Sequence, residues 1–179
     1  MKLPLVLPPL NGALVTLRPF VAADITNAYV GWLNDARVTR FSNQRFLKHD
    51  FDSCQRYFNS FEGGDNLFVS IVRREDGKAI GTMTAYISRH HETADIGLLI
   101  GDPDTWGKGY GQDAWDTLCN WLLGNPSIRK LTAGTVASNK AMLRIMERSG
   151  MQYEGSRKDQ ELINGRSEDM HYFGRFKDA

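Results

Sequence analysis

The chain has 179 residues, with 22 Lys and Arg against 21 Asp and Glu, a net charge of +1 and 41% hydrophobic residues. That length suits a single domain, expected to span 1–179, and the composition is that of an ordinary soluble globular protein. A near-neutral balance argues against a dedicated nucleic-acid binder, no apolar run approaches the roughly 20 residues of a bilayer span, and two cysteines make no disulfide framework. A cytoplasmic protein is expected, with neither nucleic acid nor membrane as partner.

The opening stretch Met1–Leu10 is apolar, but three prolines interrupt it and Lys2 is its single basic residue, so it makes a poor signal peptide, and residues 1–11 read as a loose N-terminal arm. Residues 14–18 alternate as a first strand. Ile25, Ala28, Trp32 and Leu33 share one helical stripe, with Asp24 near its start. Phe51, Cys54, Phe58 and Phe61 suggest a second helix, with Asp50 or Asp52 as N-cap. Residues 67–72 and 79–87 flank the turn-like Glu75-Asp76-Gly77-Lys78 and read as a hairpin, followed by a strand over 93–100. A helix with Ala114, Leu118, Trp121 and Leu122 on one face stops near Gly124-Asn125-Pro126. A strand over 131–136 and a stripe of Ala141, Met142, Ile145 and Met146 come next. Two closing strands, about 151–162 and 166–176, meet at Asn164-Gly165, a type I′ hairpin signal. The order β-α-α-β-β-β-α-β-α-β-β predicts a mixed α/β (α+β) sheet with helices on its faces.

Trp106-Gly107-Lys108-Gly109-Tyr110-Gly111-Gln112 lies between a strand and a helix. Its glycines permit close backbone approach, so their N–H groups can converge on an anion at the positive end of the following helix, with Lys108 near for extra charge. GxxxxGK[ST] is absent, which excludes a P-loop. The G-x-G-x-G spacing, with no acid on the next strand, departs from the Rossmann fingerprint.

This segment resembles the pyrophosphate loop of the GCN5-related N-acetyltransferase superfamily, Q/R-x-x-G-x-G/A, with Trp106 at the first position, and resembles its RimJ/RimL-like branch most. Ala94-Asp95-Ile96-Gly97 is similar to the acidic strand before that loop. Asn139 matches the Asn near the pantetheine arm. Arg148-Ser149-Gly150-Met151-Gln152-Tyr153-Glu154-Gly155 resembles the K-x-G-F-x-x-E-G ending. The resemblance implies a strongly twisted sheet of six to seven strands flanked by about four helices. It also implies acetyl-CoA as co-substrate, with no metal, and attack of a primary amine on the thioester in a ternary complex. Under it, residues 106–112 and Asn139 bind the coenzyme, Leu98, Leu99 and Ile100 pair with pantetheine, and the Leu99 amide faces the oxyanion. Asp95 takes the place of the base, directly, through water, or by attracting the substrate ammonium. Met146 stands where relatives carry a Tyr acid, and Ser138 and Tyr153 are the substitutes.

Trp32, Arg37, Arg40 and Arg45 fall where the superfamily shapes its acceptor pocket. The wording of that loop is similar to acetyltransferases of amino sugars and surface polysaccharides, so the arginines could fork onto the phosphates of a sugar nucleotide. The expected acceptor is therefore a small-molecule amine such as an amino-sugar nucleotide. The alternatives are a ribosomal-protein N-terminus, or a module that binds or senses acyl-CoA without catalysis. The branch resemblance extends to homodimerisation, for which the residues give no signal. His90-His91 read as surface loop, Trp115 and Trp121 as core, and Cys54 and Cys119 as buried, inert thiols.

Overall fold

Local signals set most element boundaries. In the computed structural model, which describes residues 5–177, Asp50 caps a helix over Phe51–Asn59 by accepting the Ser53 N–H at 2.7 Å, while Ser53 returns a bond to the Asp50 N–H. That reciprocal box satisfies two amides that the helix itself cannot. Asn164 and Gly165 both have positive φ, 51° and 77°, as a type I′ turn requires. The first helix begins later than expected. Thr26 caps it, and Asp24 instead forks onto Arg18 at 2.7 Å and takes the Val21 N–H.

The strands are β1 (Leu10–Asn11), β2 (Val15–Pro19), β3 (Leu67–Arg73), β4 (Ala79–Ser88), β5 (Thr93–Ile100), β6 (Lys130–Val136), β7 (Gln152–Ile163) and β8 (Arg166–Phe176). The helices are α1 (Asn27–Asn34), α2 (Ala36–Thr39), α3 (Phe51–Asn59), α4 (Tyr110–Gly124) and α5 (Lys140–Arg148). The sheet order is β1-β2-β3-β4-β5-β6-β8-β7. Among the described residues it therefore has eight strands, not six to seven. The extra strand comes from the supposed loose arm: Leu10 and Asn11 pair with Leu17 and Thr16, and Leu7 is buried in the core. Burying one apolar side chain is worth about 1.5–3 kcal/mol, enough to hold a short segment down.

Alternation on β3 shows the two faces. Val69 and Ile71 join the core beneath Trp115, Leu118 and Leu122 of α4, whereas Phe68 points the other way into an aromatic cluster with Phe20, Tyr29, Tyr57 and Phe61 from the α1 and α3 side. Cys54 and Cys119 are both buried, and burial pushes the Cys119 thiol up to about 12, so it stays protonated and inert. His90 and His91 are exposed in the β4–β5 turn.

β5 and β6 run parallel, joined by the crossover through α4, and they pair only over Thr93–Asp95 with Lys130–Thr132. Beyond those three pairs the strands separate into a fork, while β6 stays paired with β8 from Lys130 to Val136. Trp115 braces the helix layer above: its indole N–H donates to the buried Ser149 hydroxyl at 3.1 Å, and that hydroxyl donates to the Met146 carbonyl at 2.8 Å. Trp115→Phe is expected to cost about 1–3 kcal/mol from the lost hydrogen bond and volume. Urea unfolding should show a lower midpoint with an unchanged slope.

Candidate active site

A fork inside a sheet leaves main-chain groups without ladder partners. On β5, register decides which groups these are. Leu99 lies opposite Thr82, and two residues on, the Gly101 N–H donates to the Ile80 carbonyl at 2.8 Å. Successive residues of a strand send their amides to opposite sides, so residues two apart share a side. The Leu99 amide therefore turns towards β4, and those of Leu98 and Ile100 turn into the fork. The Trp106 indole N–H donates to the Ile100 carbonyl at 3.0 Å, which places that carbonyl on the fork side as well. Of the three residues expected to meet pantetheine, Leu98 and Ile100 present backbone to the fork. Leu99 does not. Its side chain packs instead against the aromatic cluster.

The fork opens at the C-terminal ends of its strands, where α4 and α5 both begin. Gly107 and Gly109 adopt φ of 72° and 88°, left-handed values that a side chain would strain, and Gly109 is the N-cap of α4. Among the described residues, no backbone acceptor takes the N–H of Gly107, Lys108, Gly109, Tyr110, Gly111 or Gln112. Six unpartnered amides thus sit at the positive end of a 15-residue helix. Lys108 is exposed beside them. Beneath the first turn, a Cβ at Gly111 would lie 3.4–3.6 Å from Ile145, Ile100 and Leu98, so these three side chains floor the fork. The Gln112 side chain is committed elsewhere, its Nε2 donating to Asp116 at 3.1 Å and to the Ile145 carbonyl at 3.3 Å.

On the other side of the mouth, Asn139 caps α5: its Oδ1 accepts the Met142 N–H at 3.3 Å, and its Nδ2 donates to the Thr135 hydroxyl at 3.0 Å. Ser138, directly before it, has a buried hydroxyl with no partner among the described residues. Tyr153 is 56% exposed on β7, two strands from β6, and its ring meets His171 and Phe173. Met146 is fully buried in the core.

Asp95 occupies the closed end of the fork, opposite Thr132, whose hydroxyl donates to it at 2.6 Å. Although Asp95 lies at an exposed position, the crowded strands around it restrict its hydration and raise its carboxyl above the ordinary range; the Thr132 bond lowers it by less. Thr132 carried no signal in the sequence, because its role depends on the β5–β6 register. Trp32 reaches the end of β5: a Cβ on Gly101 would meet its ring at 2.1 Å, so the indole lies flat on that backbone.

Each of the three arginines has a partner of its own. Arg37 forks onto Asp35, Arg40 lies over the Phe41 ring, and Arg45 donates to the Ser42 and Leu162 carbonyls while its guanidinium lies 3.9 Å from Glu161. Arg45 therefore ties this loop to the tip of the β7–β8 hairpin.

The profile of the acetyltransferase (GNAT) domain matches residues 15–152. An N-acetyltransferase of Bacillus licheniformis, p20, is 29% identical over 119 residues, 66% of each chain. The spermidine N-acetyltransferase of Vibrio cholerae, solved with CoA and spermine, shares the fold with a TM-score of 0.83 at 17% identity, covering 92% of this chain and 96% of that one. So does the Salmonella typhimurium acetyltransferase that modifies the N-terminal serine of ribosomal protein L7/L12, with a TM-score of 0.77, 17% identity and coverage of 93% and 96%. The fork, the amide-lined helix start and the matched profile agree: the chain belongs to the GNAT acetyltransferase family.

Proposed function

We propose that the protein transfers acetyl from acetyl-CoA to a primary amine. One observation carries this reading: a strand pair that separates directly beneath the amide-lined N-terminus of α4. Those amides suit a diphosphate, and the Leu98 and Ile100 main chain offers a slot in which an extended amide-bearing arm can complete the β-ladder. The Leu98 or Ile100 N–H, rather than that of Leu99, takes the oxyanion, since only their amides turn into the fork.

The chain's own groups then divide the proton work. The amine must lose a proton to attack the thioester carbon, and a carboxylate with a raised pKa is a better base than an ordinary one. Strand rise puts Asp95 about 10 Å from Leu98, beyond one hydrogen bond, so it acts through water or by holding the substrate ammonium. The C–N bond forms, the C–S bond breaks, and the partnerless Ser138 hydroxyl meets the departing thiolate in place of the Tyr that Met146 displaces. Holding both reactants in the fork supplies much of the rate.

The acceptor is a small-molecule amine reached from the face that carries Asp95 and Trp32. Phosphate recognition, as in an amino-sugar nucleotide, would use Arg40 together with Arg37, whose pair with Asp35 is solvent-exposed and exchanges readily. Arg45 has a bracing role. Thiol release measured with nucleotide amino sugars, polyamines and ribosomal-protein N-terminal peptides should rise with the nucleotide sugars. Release with peptides alone would instead assign Nα-acetylation, and tight coenzyme binding with no release would mark a sensor.

Asp95→Asn is expected to cut turnover at least tenfold. Because the folded state raises this carboxyl, its ionised form is disfavoured on folding, and the penalty grows as pH rises through the carboxylate range. The variant should therefore be more stable than wild type at pH 7, by a margin that shrinks towards pH 4 in urea titrations. Equal stability at both pH values would remove the burial account of Asp95. Gly109→Val, forced to a φ of 88°, should abolish coenzyme binding while the fold persists by circular dichroism.

A further inference from the structure

Asp113 lies in the first turn of α4, at the end of the helix that presents its amides to the mouth. An acid there favours the helix but opposes any anion brought to the same end. Its carboxylate is engaged by another segment: Oδ1 accepts the Ala13 N–H at 2.9 Å, and Oδ2 accepts those of Leu14 at 2.8 Å and Val15 at 3.0 Å. The approach needs glycine at position 12, where a Cβ would come within 2.4 Å of Asp113 Oδ2 and 2.7 Å of the Thr117 hydroxyl. The same segment is held from behind. Arg74 donates from its guanidinium to the Gly12 carbonyl at 2.7 Å and from its N–H to the Leu14 carbonyl at 3.0 Å. Leu14 then reaches the loop itself, its Cδ1 lying 3.5 Å from where a Gly109 Cβ would be. Residues 12–15 are thus clamped between the end of β3 and the start of α4.

We propose that Asp113 is a positioning residue for coenzyme binding: its three-amide tie to residues 13–15 sets the aim of the amides of residues 107–112. This rests on the acetyl-CoA reading of the site. A helix start that must point several N–H groups at one anion gains from being held before the anion arrives. Coupling of this kind is reciprocal, so coenzyme bound at residues 107–112 tightens residues 13–15 in return.

Two roles for Asp113 predict opposite signs. As a bare negative charge near a diphosphate, its removal would tighten binding; as a positioning group, its removal weakens it. Calorimetric titration of the full chain with CoA is expected to show Asp113→Asn binding at least tenfold more weakly than wild type. Gly12→Ala, which leaves every charge in place, should bind severalfold more weakly. Amide exchange of residues 13–15 should slow when CoA is added. Ile71→Val, a core change on β3, controls for lost stability: it should lower the urea midpoint and leave the CoA affinity unchanged. Unchanged or tighter binding by Asp113→Asn, or by Gly12→Ala should Asp113→Asn not fold, overturns the coupling alone. A wild-type chain that binds no CoA overturns both the coupling and the coenzyme reading.

Discussion

A β-sheet that splits partway along two neighbouring strands leaves main-chain donors and acceptors unpaired in its interior, where each costs about as much as a lost hydrogen bond. The separation of β5 from β6 after Asp95 and Thr132 is that defect here. Part of it is settled within the chain, since the Trp106 indole satisfies the Ile100 carbonyl. The rest is left to whatever enters, and an extended arm of alternating amides can complete the ladder. Long pairing on the outer sides, β5 to β4 and β6 to β8, lets the sheet carry the split without unravelling. α4 and α5 each follow one arm of the fork, and the first turn of α4 packs against α5 at Ile145.

The fork also separates two chemistries by face. Leu98 and Ile100 send their side chains to the α4 side and into the main core, while Leu99 and Asp95 face the aromatic side. Under the proposed function, coenzyme and acceptor meet through the sheet from opposite directions. Asp95 stands at the vertex, where poor hydration makes its charge costly, as the proposed base role requires. Thr132 moderates that cost by one short hydrogen bond without cancelling it. A carboxylate held there for folding alone would be better replaced by an amide, so its presence argues for use.

What the sequence made legible was whatever a few neighbouring residues determine. Asn164-Gly165, the Asp50 cap and the glycines of residues 107–111 each impose a local backbone geometry, and the structure has them in those geometries. The features that escaped depend on register or on partners far along the chain. The direction of the Leu99 amide follows from its pairing with Thr82, which no local pattern encodes. Arg45 looked free because its partner, the Leu162 carbonyl, lies 117 residues away. Leu7 and Leu10 looked loose because prolines surround them, yet tertiary burial outweighs local breaking signals. Asp113 carries no signal in the sequence, because the Gly12 segment that meets it lies about a hundred residues earlier.

Under the proposed function, the charges around the loop explain why the backbone has to carry the anion site. Net charge is +1, and acids crowd the segment: Asp102 and Asp104 precede the glycines, and Asp113 follows them. A long-range field from so balanced a chain would do little to attract a polyanion. Asp102 spends its carboxylate on the Asp104 N–H, and Asp113 spends its own on three amides of another segment, so two of these acids are partly neutralised by main-chain dipoles. The oriented amides of residues 107–112 are then what distinguishes this opening from the surrounding surface. They act only at hydrogen-bond range, which favours a diphosphate placed by the fork over any anion that merely drifts near, and it makes the aim of the first turn of α4 matter more than the number of lysines beside it.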